Sequence, residues 1–173
     1  MKFLRRIGEI SLKRRLAKAI FKASEAPLFT PLLAVLFPAE NLQKQQANIQ
    51  FCQKLEEITG IKTLPLVFMP KRLDHKVRFS FPHYNLGDLN FLGIPTNHDV
   101  DLFKQRDYHT VVNLDTSNYL SLHHLSHSLR ARHKLAIRPK FQKLYDIVIQ
   151  SETLESDDNI RMEIIEILTR ITT

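Results

Sequence analysis

TPLLAVLFPAENLQKQQANIQFCQKLEEITGIKTLPLVFMP, residues 30–70, decides the fold. Thr30–Phe37 is a continuous apolar run closed by Pro38, the pattern of a strand covered on both faces. Leu42–Ile58 places Leu42, Ile49, Cys52, Leu55 and Ile58 at helical spacing and stops at Gly60. Leu64–Met69 is a second apolar run, closed by Pro70. Strand, helix and strand in that order form the unit from which parallel sheets are built.

The same alternation continues outward. Val77, Phe79 and Phe81 alternate with polar residues, as in an edge or antiparallel strand. Asn97–Arg106 reads as a short helix capped by Thr96 or Asn97, and Thr110–Leu114 as a buried strand. Tyr119–Arg132 reads as helix, Leu135–Ile137 and Tyr145–Ile149 as strands, and Asp157–Ile171 as a terminal helix. Residues 2–22 are rich in Leu, Ile, Ala, Lys and Arg and favour helix. Their apolar stripe shifts between Gly8 and Ser11, which predicts two short helices or one kinked helix.

The expected architecture is an α/β three-layer sandwich with a mostly parallel sheet. Its topology would be Rossmann-like or flavodoxin-like without a glycine-rich loop. A basic helical arm, residues 1–25, precedes a single α/β domain over 26–173, with the boundary near Ser24–Pro27.

The formal charge of +7 has one location. Within residues 1–22, Lys2, Arg5, Arg6, Lys13, Arg14, Arg15, Lys18 and Lys22 face a single acid, Glu9, so this stretch accounts for the whole net figure. The body's own charges cancel, but unevenly. Thr116 to Tyr145 contains no Asp or Glu and holds Arg130, Arg132, Lys134, Arg138, Lys140 and Lys143 with four histidines. Acids gather later, at Glu152, Glu155, Asp157, Asp158, Glu163 and Glu166. Basic arms meet polyanions, so the two clusters predict docking on the phosphate backbone of RNA or a ribosome, ribosomal RNA foremost and possible ribosomal proteins beside it.

Other chemistry lacks its requirements. Four glycines give no phosphate-cradling loop, and no GxSxG elbow exists. One cysteine, Cys52, excludes an intramolecular disulfide, and its place on an apolar stripe predicts a core thiol. His123, His124 and His127 have ligand spacing, but surface histidines on the basic face are the expectation. A non-enzymatic protein with no cofactor and no metal is therefore expected. Two alternatives stand beside it: a peripheral membrane protein anchored by the N-terminal helix, and a small-ligand enzyme using Asp115, Thr116 and Ser117 at a strand end. The bland reading of that strand end is that Thr116 or Ser117 caps the next helix. No run is long and apolar enough to span a bilayer, and a cytoplasmic protein is expected.

Residues 88–114, DLNFLGIPTNHDVDLFKQRDYHTVVNL, with YDIVI at 145–149, resemble an uncharacterised bacterial domain-of-unknown-function family. Asp88, Leu89, Asn90, Gly93, Phe103, Asp115, Tyr145 and Asp146 occupy its pattern. Between Arg132 and Lys143 the chain departs, with Pro139 and extra basic residues in place of a glycine-containing turn. The resemblance implies a fold and carries no activity.

Overall fold

The structure, a computed structural model, describes residues 2–22, 31–73, 79–150 and 157–172, with the backbone alone for 2–6. Its helices are α1 (Lys2–Lys18), α2 (Leu42–Thr59), α3 (His98–Lys104), α4 (Leu120–Ser128) and α5 (Asp157–Thr172). The strands are β1 (Leu32–Pro38), β2 (Lys62–Met69), β3 (His83–Asn85), β4 (Asp107–Asn113), β5 (Arg130–Ile137) and β6 (Ile147–Ile149). They form one sheet in the order β3-β2-β1-β4-β5-β6, every neighbouring pair parallel. This is the Rossmann order, with the strand sequence reversing between β1 and β4.

The apolar run of β1 explains its central position. Leu33, Val35 and Phe37 enter a core with α2 and α5, while Ala34 and Leu36 enter a second core with α3 and α4. Each large side chain buried this way stabilises the fold by about 1.5–3 kcal/mol. A third cluster joins Leu12 and Leu16 of α1 to Ala136, Leu144 and Tyr145. Two helical layers therefore enclose the sheet. No helix among the described residues is long and apolar enough to cross a membrane.

Local chemistry sets the ends of α2. Asn41 is extended, and its Oδ1 accepts from the Lys44 amide at 2.8 Å. Gly60 closes the helix at φ +67, a left-handed conformation that costs glycine little. Asn41→Ala should lower stability by about 1 kcal/mol. Thermal denaturation would show this as a fall of roughly 2–4 °C in Tm.

Three expectations need correction. The edge strand is His83–Asn85, parallel to β2, rather than the Phe79–Phe81 segment. Val77 lies outside the described residues, and Phe79 and Phe81 instead pack with the His83 ring. Secondly, α4 stops at Ser128, and Arg130–Lys134 belongs to β5, because its backbone pairs with Asp107–Val111 of β4. Thirdly, α1 is one helix continuous through Gly8–Ser11, which removes the alternative of two short helices. The stripe shifts because only the Gly8, Leu12 and Leu16 line is buried, leaving Ile7 and Ile10 exposed.

Candidate nucleic-acid interface

α1 is seated on the loop between β3 and α3. A Cβ at Gly8 would lie 1.9 Å from the Phe91 carbonyl oxygen, so only glycine lets the helix approach this closely. The seat is built from the 88–95 stretch. Asn90 Oδ1 accepts from the amides of Leu92 (2.9 Å) and Ile94 (3.1 Å), and Gly93 turns at φ +79. Asp88 Oδ2 accepts from the amide and the side chain of Asn85. Leu12 reaches the Gly93 face, and Leu16 continues onto Leu144 and Tyr145.

With one face locked, the opposite face of α1 points outward. Ile7, Ile10, Ser11, Arg14, Arg15 and Lys18 line a shallow groove there. Lys13, Arg14, Arg15, Lys18 and Lys22 are exposed, and among the described residues none forms an ion pair. The side chains of Lys2, Arg5 and Arg6 lie outside the described residues.

The second basic cluster does not form one patch. Arg130 sits at the amino end of β5, with its Nε 2.9 Å from Asp107 Oδ1. Arg132 lines a cleft with His109, His133 and the carboxyl ends of α2 and α5. Arg138 and Lys140 lie past the carboxyl end of β5, roughly 25 Å from Arg130 by strand rise. The Lys140 amide donates there to Asn118 Oδ1 at 2.6 Å. Lys134 is buried, its Nζ donating to the His127 carbonyl at 2.9 Å. Burial pushes its ammonium down to about 8, with Asp146 acting against the shift.

The structure does bring Lys134 to α1. Lys18, Lys22, His127 and Lys134 line one hollow with Ala19 and Ile20, and the Lys134 ammonium lies 5.9 Å from the Phe21 ring centroid. The Phe21 amide donates to the Lys143 carbonyl, so Lys143 also adjoins this end of the helix.

His123 is no surface residue. It is fully buried on α4, and its two nitrogens are occupied by Tyr145 OH (2.8 Å from Nδ1) and Asn118 Oδ1 (3.1 Å from Nε2). Asn118 can only accept at Oδ1, so Nε2 carries the proton and Nδ1 accepts from Tyr145. The Tyr145 oxygen in turn accepts from Asn113 Nδ2 at 2.9 Å. Burial lowers His123 to about 4 and lifts the Tyr145 phenol to about 12. Cys52 is buried as expected, its thiol pushed up to about 12 by the same desolvation.

At the strand ends, Asp115 rather than Thr116 or Ser117 holds the turn into α4. It is 1% exposed and accepts from the amides of Ser117 (2.8 Å) and Tyr119 (2.5 Å). Burial raises its carboxyl to about 6, against the pull of those amides. Ser117 Oγ donates to Glu40 Oε1 across the β1/β4 reversal, and Lys44 Nζ lies 2.7 Å from Glu40 Oε2. The Lys44 and Ser117 hydrogen bonds hold the Glu40 carboxyl below its usual range. This bridge was not foreseen, since Glu40 and Ser117 are 77 positions apart.

The motif residues therefore have structural work. Asp88, Asn90 and Gly93 shape the seat of α1, Asp115 holds a turn, and Tyr145 anchors His123. Asp146 accepts from the Lys134 amide and pairs with His133, joining β5 to the approach of β6. The profile of one protein family, described as a family of unknown function (DUF6913), matches residues 5–171. No curated protein and no solved structure matches the chain.

Proposed function

We propose a function for a chain that belongs to DUF6913, a family of unknown function: it docks on the phosphate backbone of RNA, as on a ribosome, through the outward face of α1. The observation that carries this reading is the exposure of Lys13, Arg14, Arg15, Lys18 and Lys22 without an ion pair among the described residues. Lys13, Arg14, Arg15 and Lys18 stand on a helix fixed by Gly8, Leu12 and Leu16, so their charges are presented from a rigid support, and Lys22 follows just beyond its end. Arginine and lysine held in this way neutralise phosphates and release counterions. Lys143 extends the surface beyond the helix end, and Arg130 and Arg132 fall at the far end of the sheet.

A triple variant, Lys13→Gln, Arg14→Gln and Lys18→Gln, tests this without touching the buried face. Binding to single-stranded homopolymer RNA and co-sedimentation with ribosomes should weaken on the order of a hundredfold at low salt. The slope of log affinity against log salt should shrink by about 2, near 0.7 for each lost contact. Unchanged RNA affinity would refute the reading. Ile7 (49% exposed) and Ile10 (45% exposed) share the outward face, which also suits an interfacial helix. Flotation with phosphatidylserine vesicles in the absence of RNA binding would replace the RNA reading with that one.

A further inference from the structure

The sheet reverses its strand order between β1 and β4, and a crevice of about 420 Å³ opens there. Open α/β sheets bind ligands at this place, beyond the carboxyl ends of the strands. The volume lies within the range of small-molecule sites. The floor is apolar, formed by Leu114, Ile137, Ile160 and Ile164. The walls are the first turns of α2 and α5, two long helices that both begin at the crevice.

The charged groups of the rim select the ligand. Lys44 and Arg161 are matched by Glu40 and Asp157, so the formal charges of the lining cancel. A strongly anionic nucleotide gains little from such a rim, and the turn after β1, Pro38-Ala39-Glu40, has no glycine for close approach to a diphosphate. Glu40 is already satisfied by Lys44 and Ser117, which leaves Asp157 as the carboxylate open to a ligand cation. Arg161 is held in place. Its Nη2 donates to Asn48 Oδ1 at 3.1 Å, its Nη1 lies 3.4 Å from Asp158 Oδ1, and its guanidinium lies 5.8 Å from the Phe51 ring centroid. Of its five N–H groups the guanidinium keeps those not used by Asn48 and Asp158 for a carboxylate in the crevice, which it lines together with residues of the first turn of α2.

We infer that this crevice binds a small zwitterion with an apolar side chain, in chemistry an α-amino acid. Its carboxylate lies against Arg161 and the first turn of α2. The ammonium faces Asp157, and the side chain lies on Ile137 and Ile160.

The test uses the whole chain, isotope-labelled, titrated with four probes: L-leucine, L-phenylalanine, 4-methylpentanoate and L-leucinamide. Either amino acid should give saturable amide shifts confined to residues 41–48, Thr116 and 157–164. 4-Methylpentanoate is leucine without the ammonium and leucinamide lacks the carboxylate, so each should bind at least tenfold more weakly. Arg161→Gln and Asp157→Asn should each weaken the amino acid at least tenfold. Arg161 also packs on Phe51, so Ala47→Leu serves as a second variant that narrows the crevice with its charges intact. The inference is overturned if neither amino acid gives saturable shifts at these positions up to millimolar concentration. It is also overturned if 4-methylpentanoate binds as well as leucine, or if the shifts fall on α1 instead.

Discussion

Gly8→Ala should lower stability by about 2–4 kcal/mol and release α1 from the body. The sign is the informative part. In an exposed helix interior, exchanging glycine for alanine gains roughly 1 kcal/mol, because alanine loses less backbone freedom. Here the new Cβ would stand 1.9 Å from the Phe91 carbonyl oxygen and 2.8 Å from the Leu92 Cα. Both are backbone atoms, held by the Asn90 side chain and the Gly93 turn, so no side-chain rotation relieves the contact. Either the loop or the helix must move by more than an ångström. If the helix moves, Leu12 and Leu16, each 2% exposed, return to water. Overpacking and the lost burial together give the stated figure. For a chain of this length the fall in Tm is roughly 5–15 °C. Far-ultraviolet circular dichroism should keep its helical signal, because alanine favours the helix itself. Trypsin should cut faster after Arg14, Arg15 and Lys18 once the helix is released. A variant as stable as wild type would mean that the loop yields and α1 is not locked by Gly8.

How much of this was legible depends on what each residue shows by type. The apolar runs of β1 and β2, the stripe of α2 and the terminal helix read correctly because burial on both faces, or on one, leaves a period in the sequence. The first half of β5 did not. Arg130 and Arg132 disguise the start of a strand as the end of a basic helix, and only pairing with β4 reveals it. The acid-free window that holds Arg130–Lys143 read as one patch, but closeness in sequence is not closeness in space along an extended strand, which spreads its side chains over its length. Exposure could not be read from charge either. Lys134 is buried because its Nζ finds the His127 carbonyl, and His123 is buried because Tyr145 and Asn118 satisfy both its nitrogens. Partners so distant in the chain leave no local signal. Gly8 had one: a glycine inside a helix-favouring stretch costs stability unless something approaches closely, and the Phe91 carbonyl does.

His123 should make the protein acid-labile in a way that one substitution removes. Its ordinary value is 6.5, and burial lowers it to about 4 in the fold. Because the folded state favours the neutral ring, the contribution to stability is complete above pH 6.5. It disappears as the pH falls through the range down to about 4. The fall from 6.5 to about 4 corresponds to at most about 3 kcal/mol. The hydrogen bond from the Tyr145 hydroxyl favours the neutral ring alongside burial. Nδ1 accepts its proton, and a protonated Nδ1 would force that hydroxyl to turn in a fully enclosed site where Asn113 already donates to its oxygen. Asp115 works in the opposite direction. Its folded value of about 6 exceeds 3.8, so its contribution is complete below 3.8 and is lost as the pH rises through 6. His124, lowered to about 4 chiefly by burial, adds to the acid lability. Wild type alone therefore reports a sum of opposing effects, and the comparison with His123→Gln isolates one of them. At pH 7 the variant should be the less stable, having lost both hydrogen bonds of the ring. Denaturant titrations between pH 7 and pH 4 should show that deficit closing by up to about 3 kcal/mol as wild type loses what the variant never had. Asp115 and His124 remain in both proteins and largely cancel from the difference. A deficit that stays constant from pH 7 to pH 4 would mean that His123 does not hold its neutral form in the fold. The Tyr145 and Asn118 contacts would then have to tolerate a charged ring.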